Sequence, residues 1–225
     1  SAWAQQWEPI ERSAAKPWFL GGFVFAAVAV VQEVSRALPP ATSEEWAEPV
    51  LQYHQQVQAG LLGLLGLMAL AHWFGRTRQW PGATWPARTA LPLIVLAYPV
   101  TLVMGRSVTD LPDLLAWIAA LGIHARLLQL DDRRGDALPS RWNAAMHTLG
   151  ALLLTGMLAD ALFRLIDTAS LWNTSWAGVI LLSSAAAMLF ALTRWAGRAG
   201  VAGPDGFGWP LNPHARAYWW RAASV

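Results

Sequence analysis

Cysteine is absent from all 225 positions. That single absence removes disulfides, thiolate metal sites and thiol nucleophiles. Charge is scarce too: Asp, Glu, Lys and Arg make up 13% of the chain, against about 25% in an ordinary soluble domain. Lysine is nearly missing, with Lys16 alone among sixteen basic residues, an arginine bias expected of a GC-rich bacterial genome. The formal net charge of +2 offers no electrostatic footprint for nucleic acid. Catalytic signatures are missing as well. The chain has no Gly-rich phosphate loop, no GxSxG elbow, no HExxH pair and no lysine in its last apolar segment to form a retinal-type Schiff base. No signal-peptide pattern opens it, so Ser1 is expected close to the mature start.

What is present is apolar. Hydrophobic residues account for 55% of the chain and Trp for 15 positions against three Tyr, and tryptophan favours the membrane interface, where its ring is half wet. A membrane span needs about 20 mostly apolar residues to cross a core roughly 30 Å thick. Six segments approach that length: Pro17 to Ser35, Val57 to Phe74, Thr89 to Gly105, Leu111 to Leu128, Asn143 to Phe163 and Trp172 to Thr193. The expected fold class is therefore all-α, a polytopic transmembrane helix bundle of about six spans, with a count of four or five left open by the short and interrupted segments. Residues 1–16 are expected as a cytoplasmic N-terminal segment, 17–198 as the transmembrane domain and 199–225 as a cytoplasmic, aromatic-rich arm lying on protein or lipid headgroups.

Orientation follows from the loops. With both termini cytoplasmic, Arg12, Lys16, Arg76, Arg78, Arg88, Arg126, Arg133, Arg134, Arg141, Arg194, Arg198, Arg216 and Arg221 all fall inside. Arg36, Arg106 and Arg164 alone fall outside, the asymmetry expected of a bacterial inner-membrane, multi-pass protein. Helix punctuation fits this frame. Asp110 reads as the N-cap of span four, with Pro112 and Asp113 in its first turn, Ser140 caps span five and Thr84 precedes span three. Pro92 and Pro99 predict a kink in span three. Gly60, Gly63 and Gly66 in span two and Ser183 to Ala187 in span six predict faces for close helix packing. The acidic stretch with Glu44, Glu45, Trp46 and Glu48 predicts a short interfacial helix between spans one and two.

"LAHWFGR" (Leu70 to Arg76) and "LTRWAGR" (Leu192 to Arg198) match at four of seven positions and close spans two and six. Gly22, Gln32 and Arg36 have the spacing of Gly150, Asp160 and Arg164. Both suggest a repeated helical hairpin, although Trp and Arg at an inner boundary are ordinary features of membrane helices.

Two polar layers emerge when depth is counted at about 1.5 Å per residue. Glu33 lies roughly 22 Å along span one, and Asp160 at a similar depth in span five. A carboxylate there is costly unless paired, and Arg36 and Arg164 stand one turn on, where opposite charges meet. Arg106, Asp110 and Asp167 join this outer rim, with Gln32, His54, Gln55, Gln56 and Gln58 near it. The rim reads either as a proton or ion site or as a structural charge collar whose arginines reach up to water. The second layer is histidine: His72, His124 and His147 all fall near the inner boundary, as axial ligation of haem b, a pigment or a metal would require, or as interfacial histidines beside Trp73, Arg126 and Trp142.

Three functions follow. The chain is expected to be an integral membrane subunit of a larger electron-transfer or energy-transducing complex, partnered by lipid and other membrane subunits and holding haem b, pigment or quinone. The alternatives are a small proton- or cation-coupled transporter using Glu33 and Asp160, and a non-catalytic scaffold or assembly subunit.

Overall fold

The computed structural model of the chain describes residues 2–38, 47–111, 113–133, 140–197 and Pro210. It is helical throughout these residues, with no strand among them: α1 (Ala2–Ala37), α2 (Ala47–Thr77), a 3-10 segment (Pro81–Thr89), α3 (Ala90–Val103), α4 (Asp113–Asp132), α5 (Ser140–Thr168) and α6 (Ser175–Gly197). Five stretches are long and apolar enough to cross a membrane: Pro17–Ala37, Tyr53–Thr77, Gly82–Val103, Asp113–Asp132 and Trp142–Thr168. The sixth apolar stretch, Ser175–Ala191, is shorter. This is a polytopic helical membrane fold of about six spans. At most 33% of the most apolar window in any of the five lies buried within the chain, so most of their apolar surface faces outward, as a lipid solvent permits.

Two compact units divide the chain, Ser1–Gly105 with Leu115–Leu127 and Arg106–Leu114 with Leu128–Val225. In the first, α2 is the central helix and packs against α1, the 3-10 segment and α3. Its buried positions are His54, Gln58, Gly60, Leu61, Leu65, Met68, His72 and Gly75. Apart from Gly60, they are spaced alternately four and three apart, which keeps one narrow stripe of a helix inward. Leu91 and Ile94 of α3 and Ala83 and Ala87 of the 3-10 segment complete this core. Of the three glycines expected to let helices approach, Gly63 has that role: a Cβ there would lie 2.7 Å from Val30 Cγ1 of α1, whereas a Cβ on Gly60 or Gly66 would meet nothing within 4 Å. In the second unit α5 packs against α6, and Met146, Ala151, Leu153, Met157, Ile166 and Ala177 are buried.

Several boundaries differ from the sequence expectation. Helix α2 begins ten residues before Val57, at Ala47, so Glu48 belongs to its first turn, while Glu44, Glu45 and Trp46 lie outside the described residues. Helix α1 starts at Ala2, ahead of the apolar stretch, because hydropathy marks only the part of a helix that needs lipid. Thr84 does not cap span three: it is buried within the 3-10 segment, and α3 starts six residues later at Ala90. Pro92 is the third residue of α3, where the missing amide has no intrahelical acceptor to lose, which leaves Pro99 as the interior proline. Helix α5 does begin at Ser140. The arm at 199–225 lies outside the described residues apart from Pro210.

Two helices end on non-glycine residues in the left-handed region. Gln79 (φ 52°) and Ser170 (φ 54°) each close a Schellman turn. Trp80 N–H donates to Gly75 C=O at 2.8 Å and Gln79 N–H to Arg76 C=O at 3.3 Å. The same pair of bonds recurs from Leu171 to Ile166 and from Ser170 to Asp167, both at 2.9 Å.

Candidate functional site

One enclosed polar cluster joins the end of α4 to the start of α5. Asn143 and His147 are one helical turn apart, so both side chains leave the same face of α5. Asn143 Nδ2 donates to Asp132 Oδ1 at 2.6 Å, and His147 Nε2 lies 3.3 Å from Asp132 Oδ2. The side chains of His147 and Asp132 are 0% and 6% exposed. A carboxylate so enclosed must be paired and hydrogen-bonded, and it also stands at a helix C-terminus, where the dipole disfavours negative charge. The amide and the imidazole offset both penalties. Chemically, a carboxylate against an imidazole is a pair that can hold one proton between two sites. Asn143 Oδ1 is buried without a hydrogen-bond partner among the described residues, so the cluster retains one acceptor. Sequence reasoning singled out His147 but missed Asp132 and Asn143. Their signal was faint: Asp132 is the second residue of the run "DDRRGD", which resembles a solvated boundary.

A second cluster organises the loop between α3 and α4 in the same unit. Arg106 Nε donates to Asp113 Oδ2 at 3.1 Å and lies 3.7 Å from Asp110 Oδ2. Asp110 Oδ2 accepts from the Ser107 amide at 3.0 Å, so its side chain stabilises the turn behind it, while only its carbonyl, bonded by Leu114 N–H at 2.9 Å, meets α4. The N-cap role expected of Asp110 is therefore carried by backbone alone. Asp160 enters this cluster from α5. Its Oδ2 accepts from Ser107 Oγ at 2.6 Å and from the Val108 amide at 3.3 Å. Sequence reading assigned Asp160 to Arg164; the hydrogen bonds its carboxylate makes come instead from the loop. The opening of α4 is thus tethered to α5 through Ser107, itself wholly buried. Arg164 is half-buried and Asp167 exposed.

In the first unit, Glu33 and Arg36 make the expected ion pair, Nη1 to Oε1 at 2.7 Å, with both side chains about 70% exposed. His54 and Gln58 face the interior at the N-terminal end of the α2 stripe and His72 at the other, eighteen residues or about 27 Å along the axis. Gln56 Nε2 donates to the Leu38 carbonyl, tying α2 to the end of α1. Gln32 is exposed and Gln55 half-buried. His124 of α4 is half-buried in the first unit, whereas His147 belongs to the second. No group of three or more His, Cys, Asp or Glu suited to a metal ion occurs among the described residues.

Fold and clusters together define a multi-pass helical membrane protein whose polar groups gather at helix ends. Comparison with protein-family models, characterised proteins and solved structures finds no significant match to the chain.

Proposed function

We propose that the chain is an integral membrane subunit of a larger assembly in a bacterial cytoplasmic membrane, of the electron-transfer or energy-transducing class. One observation carries this reading. The small residues of α6, Ser183, Ala185, Ala186 and Ala187, are exposed, although small residues on membrane helices serve close approach of another helix. Lipid alone has no use for such a face. The exposed Glu33–Arg36 pair near the end of the α1 span supports the same reading, since a second chain supplies polar partners that acyl chains lack.

The carrier alternative draws less support. Midway along the α2 stripe stand Leu61, Leu65 and Met68, all buried and apolar, where a carrier places its binding groups. Histidine supports a cofactor in the assembly only so far as His72 is buried in a helix seam; His147 turns Nε2 onto Asp132.

The test is native mass spectrometry of the chain extracted in polymer discs from the cell that makes it. The expected particle has a fixed mass well above the 24.5 kDa of the chain, and Ala186→Leu reduces it to the single chain while helicity is retained. A particle of one chain before substitution overturns the proposal. An oxidised-minus-reduced visible spectrum of the same particle decides the electron-transfer assignment, which requires a haem or pigment band.

A further inference from the structure

Helices α1 and α2 run antiparallel and leave an apolar groove between them. Phe19, Gly22 and Phe23 line it from α1, and Leu70, Ala71 and Phe74 from α2. Its volume is 360 Å³, within the roughly 300–1,000 Å³ of ligand pockets. The lining positions fall three and four apart on each helix, so one face of each is given over to the groove. Gly22 keeps it open, for a Cβ built there meets nothing within 4 Å. Trp80 closes one end, its ring 4.9 Å from Phe19 and 6.3 Å from Phe74 in edge-on contacts. Just beyond that end the chain turns basic. The Arg78 amide donates to the Phe74 carbonyl at 2.9 Å, so Arg78 continues the helical turn directly above the groove.

Charge decides what such a groove receives. From Pro49 to Thr109 the sequence contains no Asp or Glu, and neither Arg76 nor Arg78 makes an ion pair among the described residues. Trp18, Trp73 and Trp85 are exposed near this end, as residues at headgroup depth are. Arg88 lies 5.2 Å over the Trp85 ring. A slot lined by hydrocarbon, opening at a guanidinium with no ion pair among the described residues, is complementary to one molecule of the surrounding solvent: a phospholipid with net negative charge.

We infer that this groove is a binding site for an anionic phospholipid, one acyl chain lying between Phe19 and Phe74 and the phosphate held by Arg78. The chain supplies contact and the arginine supplies selectivity. The two contributions separate by mutation. Gly22→Leu fills the groove without meeting backbone, whereas Arg78→Gln leaves the groove and removes the charge.

The experiment is native mass spectrometry of the full chain released from bilayer discs of equal phosphatidylglycerol and phosphatidylcholine. One retained lipid per chain is expected, with phosphatidylglycerol preferred by about fivefold. The glutamine variant keeps the lipid and loses the preference; Gly22→Leu loses the lipid of either kind, and Ala71→Leu does the same should Gly22→Leu fail to fold. Retention of lipid by both groove-filling variants, or undiminished preference in the glutamine variant, overturns the site. So does a wild-type dimer that Gly22→Leu separates, because a second copy then occupies the groove.

Discussion

Asp132 sits where three unfavourable conditions meet: burial, a helix C-terminus and an apolar surround. Its carboxylate persists there because Asn143 and His147 reach it from the next helix at 2.6 and 3.3 Å. Removing one member of a buried polar pair costs more than the pair is worth, since the survivor stays buried and unpaired. Asp132→Ala is expected to destabilise by about 2–4 kcal/mol, and His147→Ala by less, because the carboxylate retains Asn143. The double variant then loses less than the sum, a coupling of roughly 1 kcal/mol or more, read from unfolding titrations in mixed micelles. Strict additivity would show that the two groups do not interact. Asp160 predicts a smaller and more local effect. With Asp160→Ala, Ser107 Oγ and the Val108 amide lose their acceptor, about 1–2 kcal/mol. Hydrogen exchange is expected to quicken at Ser107 and Val108 while the middle of α5 stays protected.

At the scale of elements, the end of α2 is a tight join in the first unit. A Cβ on Gly75 would lie 2.9 Å from both Thr84 Cγ2 and the Trp80 carbonyl oxygen, and 3.1 Å from Ala83 Cβ. A side chain there must push the 3-10 segment off α2, so Gly75→Leu is expected to cost about 1–3 kcal/mol, seen as a lower unfolding midpoint. The Schellman turns predict the opposite sign. A non-glycine residue in the left-handed region is strained by about 1–2 kcal/mol, so Gln79→Gly and Ser170→Gly each raise the midpoint, by up to about 1 kcal/mol after the added freedom of the unfolded chain is counted. Unchanged or lower midpoints in both would mean that the Gln79 or Ser170 side chain contributes more than the strain it carries. These elements also show what the sequence could disclose. Lipid demands long apolar runs, and those runs located the five long apolar helices and the shorter sixth from hydropathy alone. Helix outside lipid obeys no such demand, which is why the starts of α1 and α2 were missed. The stripe from His54 to Gly75 was not read, because the run around it is apolar on every side, and of the glycines singled out in α2 only Gly63 meets another helix. Turns closed by Gln79 and Ser170 carry no glycine to announce them, and Thr84 looked like a cap because a 3-10 segment beginning at proline shares the composition of a helix start. Glu33 with Arg36, and Arg106 with Asp110, were legible because their spacing lies within one helix or one turn. Asp132 with His147 and Asp160 with Ser107 are separated by 15 and 53 residues, and no local pattern encodes which distant partner a buried carboxylate finds.

For the whole molecule, charge and hydropathy make one joint demand on topology. If each apolar stretch crosses, each crossing exchanges sides, and the arginines clustered after α2 and α4 are expected on one face of the membrane with the loops after α3 and α5 on the other. The absence of cysteine turns this into a clean measurement, because a single introduced thiol is then the sole target of a membrane-impermeant maleimide. Thr77, Leu111, Arg133 and Asn173 are exposed and stand at the ends of α2, before α4, after α4 and before α6. In intact spheroplasts, Leu111→Cys and Asn173→Cys are expected to label at once, whereas Thr77→Cys and Arg133→Cys label only after permeabilisation. Failure of Leu111 and Arg133 to differ would mean that α4 does not cross, and the ends of α5 would then exchange sides as well. A reversal of all four would preserve the spans and invert the protein, placing the basic end of the α1–α2 groove in the outer leaflet, against the asymmetry of its own arginines.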